Sequence, residues 1–175
     1  MSRQANPAPA GRDPDTYPLR FKKHNVQAYC YNTQDCQVVY DNANLSSYAT
    51  GKPRGAPPAG DYRSHWPFAS HVGVGNFPPP AKVTWTSLDG EHHQADVDIA
   101  GIFKDERVLH EVPEEQIPEK AFTGPAGEPS IYIEVNDRRI SVYMKMLIPT
   151  RQAQIPGNPN SFFRDDVIKA WSRTY

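Results

Sequence analysis

Six histidines and two cysteines are the residues whose types suit metal or nucleophilic chemistry, and their spacing supports little of either. His92 and His93 are adjacent. On a regular strand they point to opposite faces and cannot both ligate one ion. His24, His65, His71 and His110 are scattered, with no His-Glu-x-x-His pair and no cysteine cluster beside them. No Gly-x-Ser-x-Gly elbow occurs. Gly73-Val-Gly75-Asn-Phe-Pro begins like a dinucleotide loop, but it lacks the third glycine and runs into Pro78-Pro79-Pro80 where a helix must start. No catalytic residue, metal or cofactor is therefore expected, and the chain reads as a binding protein, not an enzyme. Two alternatives are kept: a metal-dependent hydrolase using His65, His71 and Asp61, and a carbohydrate-binding or structural module using Tyr48, Tyr62 and Trp66.

Cys30 and Cys36 lie in a segment that reads as strand, turn, strand. Facing each other across the turn they would form a disulfide that closes a short loop, contributing roughly 2 kcal/mol through chain entropy. The other reading is two reduced thiols in a cytosolic protein.

Charge supplies the remaining candidates. Between Ala95 and Glu119 stand eight acidic residues against only Lys104 and Arg107, whereas Arg138 to Arg173 carries seven basic residues against two acidic ones. An acidic loop over Val112 to Pro118, stiffened by Pro113 and Pro118, is suited to a basic cleft on a partner, because stiffness lowers the entropy lost on binding and opposite charge speeds encounter. The expected partner-binding residues are Asp105, Glu106, Glu111, Glu114 and Glu115, with Tyr62 and Trp66 from the long loop. A formal net charge of −1 gives no basic field for nucleic acid, so none is expected as a partner.

These residues need a scaffold, and 175 residues are about enough for one core. Eighteen prolines leave few windows for long helices, since an interior proline costs about 3 kcal/mol. Residues 1–18 have the composition of a disordered leader or tether, and 19–175 read as a single β-rich domain. Leu19 to Tyr31, then Cys36 to Tyr40 after an Asn-Thr-Gln-Asp turn, form a first hairpin candidate. Asp41 to Pro80 holds seven prolines and no clear period, and reads as a long irregular excursion. In the second hairpin a three-residue turn with Gly90 left-handed sets Trp85 against His93, Val83 against Ala95 and Ala81 against Val97. In the third, a two-residue turn within Asn136 to Arg139 sets the face of Ile131, Ile133 and Val135 opposite that of Ile140, Val142 and Met144. Phe163, Val167, Trp171 and Thr174 fall on one helical stripe with Asn160 or Ser161 as cap, which predicts a C-terminal α-helix. The expected fold is mainly β, an antiparallel β-sandwich or curled sheet built from hairpins with that one helix.

The stretch Asn76-Phe-Pro-Pro-Pro-Ala-Lys-Val-Thr-Trp-Thr-Ser-Leu-Asp-Gly-Glu-His-His, followed by Val97-Asp-Ile-Ala-Gly-Ile-Phe and Val108-Leu-His-Glu-Val-Pro, resembles small bacterial periplasmic lipoproteins encoded beside type VI secretion phospholipase effectors. Such proteins serve as immunity proteins. The resemblance implies a periplasmic inhibitor that binds a cognate toxic lipase and blocks its active site or its membrane approach. It supplies no catalytic residues. The lipidated cysteine and export signal of such lipoproteins do not occur in the sequence given, so membrane attachment would come only through a lipid anchor outside it. Taken literally as complete, the chain would be cytoplasmic.

Overall fold

The computed structural model describes residues 16–122 and 124–175. Two sheets carry the fold. A five-stranded sheet has the order β11-β8-β7-β1-β4, built from β1 (Lys23–Tyr31), β4 (His71–Gly75), β7 (Ser130–Asn136), β8 (Arg139–Lys145) and β11 (Val167–Thr174). A four-stranded sheet has the order β3-β2-β5-β6, built from β2 (Thr33–Tyr40), β3 (Ala43–Asn44), β5 (Ala81–Ser87) and β6 (His92–Val97). A small ladder joins β9 (Ile148–Pro149) to β10 (Phe163–Arg164), and the only α-helical turn among the described residues is α1 (Ile99–Ile102). The chain is mainly β, as its proline content and alternating patterns predict.

The sheets face each other across one apolar layer. Val26, Ala28 and Cys30 of β1, Ile131, Ile133 and Val135 of β7 and Ile140, Val142 and Met144 of β8 fill it from one side. Cys36, Val38 and Tyr40 of β2, with Ala81, Val83 and Trp85 of β5, fill it from the other. Burying each large side chain contributes roughly 1.5–3 kcal/mol. The second hairpin has the expected register, with Trp85 opposite His93, Val83 opposite Ala95 and Ala81 opposite Val97, and Gly90 at φ 84° in the turn. The third pairs Val135 with Ile140, Ile133 with Val142 and Ile131 with Met144, as expected.

The first hairpin does not form. β1 pairs with β7 in parallel and with β4 antiparallel, while β2 pairs with β3 and β5 in the other sheet. The chain changes sheets at Asn32, whose φ of 50° makes the sharp turn. Inward positions of both strands face the same core, so Cys30 and Cys36 meet across the layers and form the disulfide. That bond points to an oxidising, non-cytoplasmic compartment.

The expected C-terminal helix is also absent. Residues 167–174 are the edge strand β11, antiparallel to β8, with a bulge between Lys169 and Trp171. β8 is buried along most of its length, and without β11 one row of its backbone donors and acceptors would lack partners. A helical stripe of this length is marginal alone, so pairing prevails over the stripe, and Val167, Ile168, Trp171 and Thr174 suit a strand. Just ahead of β11, Asp165 approaches Lys145 at 3.6 Å and Asp166 pairs with Arg164 at 2.9 Å.

The stretch read as irregular contains strands β3 and β4, and the segment between them is a cover. Residues 61–69 lie over the outer face of the five-stranded sheet, where Trp66 stacks on Tyr29 with ring centroids 4.6 Å apart and packs on Tyr132 and Tyr143. Tyr132 donates to the Pro67 carbonyl at 2.8 Å, and Lys145 donates to the Trp66 carbonyl at 2.8 Å. β7 is thus buried on both faces, which explains how Tyr132 and Glu134 can sit inside an apolar run. At the other end of the chain, Thr16 is buried and Tyr17 packs on the core, within the stretch read as a leader. Residues 1–15 of that stretch lie outside the described residues.

Candidate partner-binding surface

The acidic loop is held by buried side chains and backbone hydrogen bonds, most of them set by its own sequence. Val112 and Ile117 are both buried and pin it at two points. Between them Pro113 sets an extended entry and Glu114–Gln116 form one 3-10 turn, with the Gln116 N–H on the Pro113 carbonyl at 2.9 Å and the Ile117 N–H on the Glu114 carbonyl at 3.0 Å. Proline at this position suits the turn, because its φ is already set near the value required. Arg151 then reaches across from the loop after β9. Its backbone N–H donates to the Gln116 carbonyl at 2.7 Å and its Nε to the Glu115 carbonyl at 3.0 Å.

That geometry fixes the backbone and leaves the carboxylates free. Glu114 and Glu115 are exposed and enter no ion pair among the described residues. Glu111, at the base of the loop, contacts Arg164 at 3.2 Å and remains largely exposed. Three acidic side chains thus stand on one pre-shaped loop, with Arg164 as the partner of one.

The other expected residues separate from this group. Asp105 is exposed near the end of the turn that follows α1, where its carbonyl accepts from Arg20. Glu106, at φ 53°, is engaged internally: Oε1 meets Lys22 Nζ at 2.7 Å and Oε2 accepts from Asn76 Nδ2 at 2.9 Å. Those two donors hold its carboxyl below the usual range, so it braces the fold and is not free for a partner. Trp66, read from the sequence as exposed, is 5% exposed. Its indole lies within the aromatic layer, because the outer face of β7 and β8 offers tyrosines to stack on. Tyr62 is half-buried and donates to Glu134 Oε2 at 2.7 Å. Burial and that acceptor push the Tyr62 hydroxyl's pKa strongly upward.

The histidines do not assemble a metal site at the loop. His65 faces the Asp61 backbone carbonyl at 3.2 Å, while His71 pairs with Asp41 at 3.0 Å. Among the described residues the one group able to offer three ligand atoms is Asp89, Glu91 and His93. Arg138 already fills it, with Nη1 2.8 Å from Asp89 and 2.6 Å from Glu91. The Ser87 hydroxyl, the Glu91 N–H and Arg138 hold the Asp89 carboxyl down to about 2. This cluster ties the turn between β5 and β6 to the turn between β7 and β8, and Trp85 Nε1 donating to the Asp137 carbonyl at 2.7 Å reinforces the tie.

Sequence reasoning missed Arg151, whose role depends on contacts across 35 and 36 residues, and the Arg63–Glu134 pair. The second left a signal: an acid in the middle of Ile131 to Val135 demands a buried partner. No protein family, curated protein or solved structure matches this chain.

Proposed function

We propose that this chain is a periplasmic immunity protein that binds a toxic secreted enzyme, a type VI secretion lipase, and neutralises it by covering its active site or its membrane-facing surface. The observation that carries this reading is the acidic loop: Glu111, Glu114 and Glu115 are displayed on a backbone already fixed by Val112, Ile117 and Arg151. A surface loop fixed in this way loses little entropy on binding, and its negative field favours a basic rim on the partner. The Cys30–Cys36 disulfide agrees with work outside the cytoplasm. Resemblance to lipoproteins encoded beside phospholipase effectors supplies the partner class.

The test is co-purification with the product of the neighbouring gene, followed by a lipase assay of the mixture. Equimolar protein should abolish hydrolysis. Undiminished activity with this chain in saturating amount would sink the proposal.

A further inference from the structure

We infer that the loop joining β9 to β10, residues 150–162, is the element that enters the partner enzyme's cleft, with Ile155 as the inserted side chain; this rests on the inhibitor reading above. Every residue from 151 to 160 is exposed, and Ile155 is 57% exposed. An exposed loop of this length is ordinarily mobile, yet this one is braced from within. The Gln154 N–H donates to the Ser161 carbonyl at 2.9 Å, and the Ile155 N–H donates to Ser161 Oγ at 3.0 Å. Ser161, itself buried, donates from the same hydroxyl to the Asn158 carbonyl at 2.8 Å. Asn158 N–H returns to the Ile155 carbonyl at 3.1 Å, and Gly157 at φ 79° makes the bend that no β-branched residue would accept. Pro156 and Pro159 remove further freedom.

The result is an apolar side chain held out into solvent by hydrogen bonds and not by packing. Pre-ordering of that kind raises affinity by removing the cost of ordering the loop in the complex. From Gln152 to Asn160 there is no charged residue, and Ile155 stands between the amides of Gln154 and Asn158, so the tip suits an uncharged cleft with an apolar floor for Ile155 and a polar mouth for the amides. Its base is joined to the acidic loop through Arg151, at 2.7 Å and 3.0 Å to the Gln116 and Glu115 carbonyls. The two loops therefore present one surface, an uncharged projection beside an acidic patch. The partner it fits is an enzyme whose apolar cleft opens beside basic side chains. Glu111, Glu114 and Glu115 next to the projection disfavour an anionic membrane as the occupant.

Ile155→Asp, Ser161→Ala and the pair Glu114→Lys with Glu115→Lys should be compared with the wild type against the same neighbouring gene product. Ile155→Asp should retain wild-type thermal stability, its side chain being exposed, and raise the inhibition constant at least 100-fold through faster dissociation. Ser161→Ala, which keeps the tip and removes the brace, should raise it about tenfold. The glutamate pair should act mainly on the association rate. Wild-type inhibition by Ile155→Asp overturns the inserted-loop inference and leaves the inhibitor reading standing. Absence of inhibition by the wild type overturns both. Co-sedimentation of the wild type with phosphatidylglycerol vesicles, lost in Ile155→Asp, overturns the cleft as occupant in favour of a membrane.

Discussion

Arg63 and Glu134 meet in a two-point contact on the outer face of the five-stranded sheet, Nη2 to Oε1 at 2.8 Å and Nε to Oε2 at 3.1 Å. Glu134 is almost fully buried, whereas Arg63 is one-third exposed and lies over the rings of Tyr62 and Tyr143. The pair fastens the covering segment to β7, so the aromatic layer and its lid form one unit. Arg63→Ala leaves the buried carboxylate without its cation and should lower stability by about 2–3 kcal/mol, discounted from the fully buried case for the exposure of Arg63. Replacing both residues with leucine should recover most of that loss. Urea unfolding of the two variants is the measurement, and equal losses in both would count against the desolvation argument.

The disulfide joins the two layers through a short loop. Reducing it, or replacing both cysteines with alanine, should lower stability by roughly 2 kcal/mol from chain entropy while leaving the fold intact. The sandwich core does not depend on the sulfurs alone, so far-UV circular dichroism should be unchanged and the denaturation midpoint lowered.

Acid should destabilise the protein through His24. Its ring is buried between Tyr40 and Phe77, with Nδ1 2.8 Å from Asn76 Oδ1 and Nε2 3.0 Å from the Tyr40 hydroxyl. Asn76 Nδ2 donates to the Phe21 carbonyl and to Glu106, which leaves its oxygen to accept, so neutral His24 donates from Nδ1 and accepts from Tyr40 at Nε2. Burial lowers the pKa of His24 from its ordinary 6.5, against raising contributions from Asn76, Asp41 and Glu128. A lowered imidazole pKa means that the unfolded chain takes up the proton first. The stability due to neutral His24 is therefore complete above about pH 6.5 and is lost as pH falls toward the folded-state value. His110, whose pKa is also lowered by burial, adds in the same direction. His24→Gln should flatten the dependence of the urea midpoint between pH 7.5 and 5; an unchanged slope would assign the effect elsewhere.

The two local hairpins were legible in the sequence because each register follows from a short turn and one apolar face, as at Gly90 and across Asn136 to Arg139. Three features were not. The β1–β7 pairing is parallel and joins residues about a hundred positions apart, with no connecting turn to announce it. Cys30 and Cys36 are close in sequence, and a sandwich can bring them together across layers as readily as a hairpin can across a turn. For residues 167–174, a stripe at helical spacing and a good strand composition coincide, and the unpaired edge of β8 decides between them. At the candidate surface, the acidic loop could be read from its charges and prolines, whereas the burial of Trp66 could not. That burial depends on tyrosines contributed by three separate strands.

The acidic loop carries the proposed function, so binding of the neighbouring gene product by the Glu114→Lys, Glu115→Lys variant and by the wild type is the measurement that matters most. Reversal should weaken the complex at least tenfold, about 1.4 kcal/mol, chiefly by slowing association and with a reduced dependence on salt. An unchanged dissociation constant would contradict a role for the loop in the interface, and failure of the wild type to bind at all would contradict the proposed function itself.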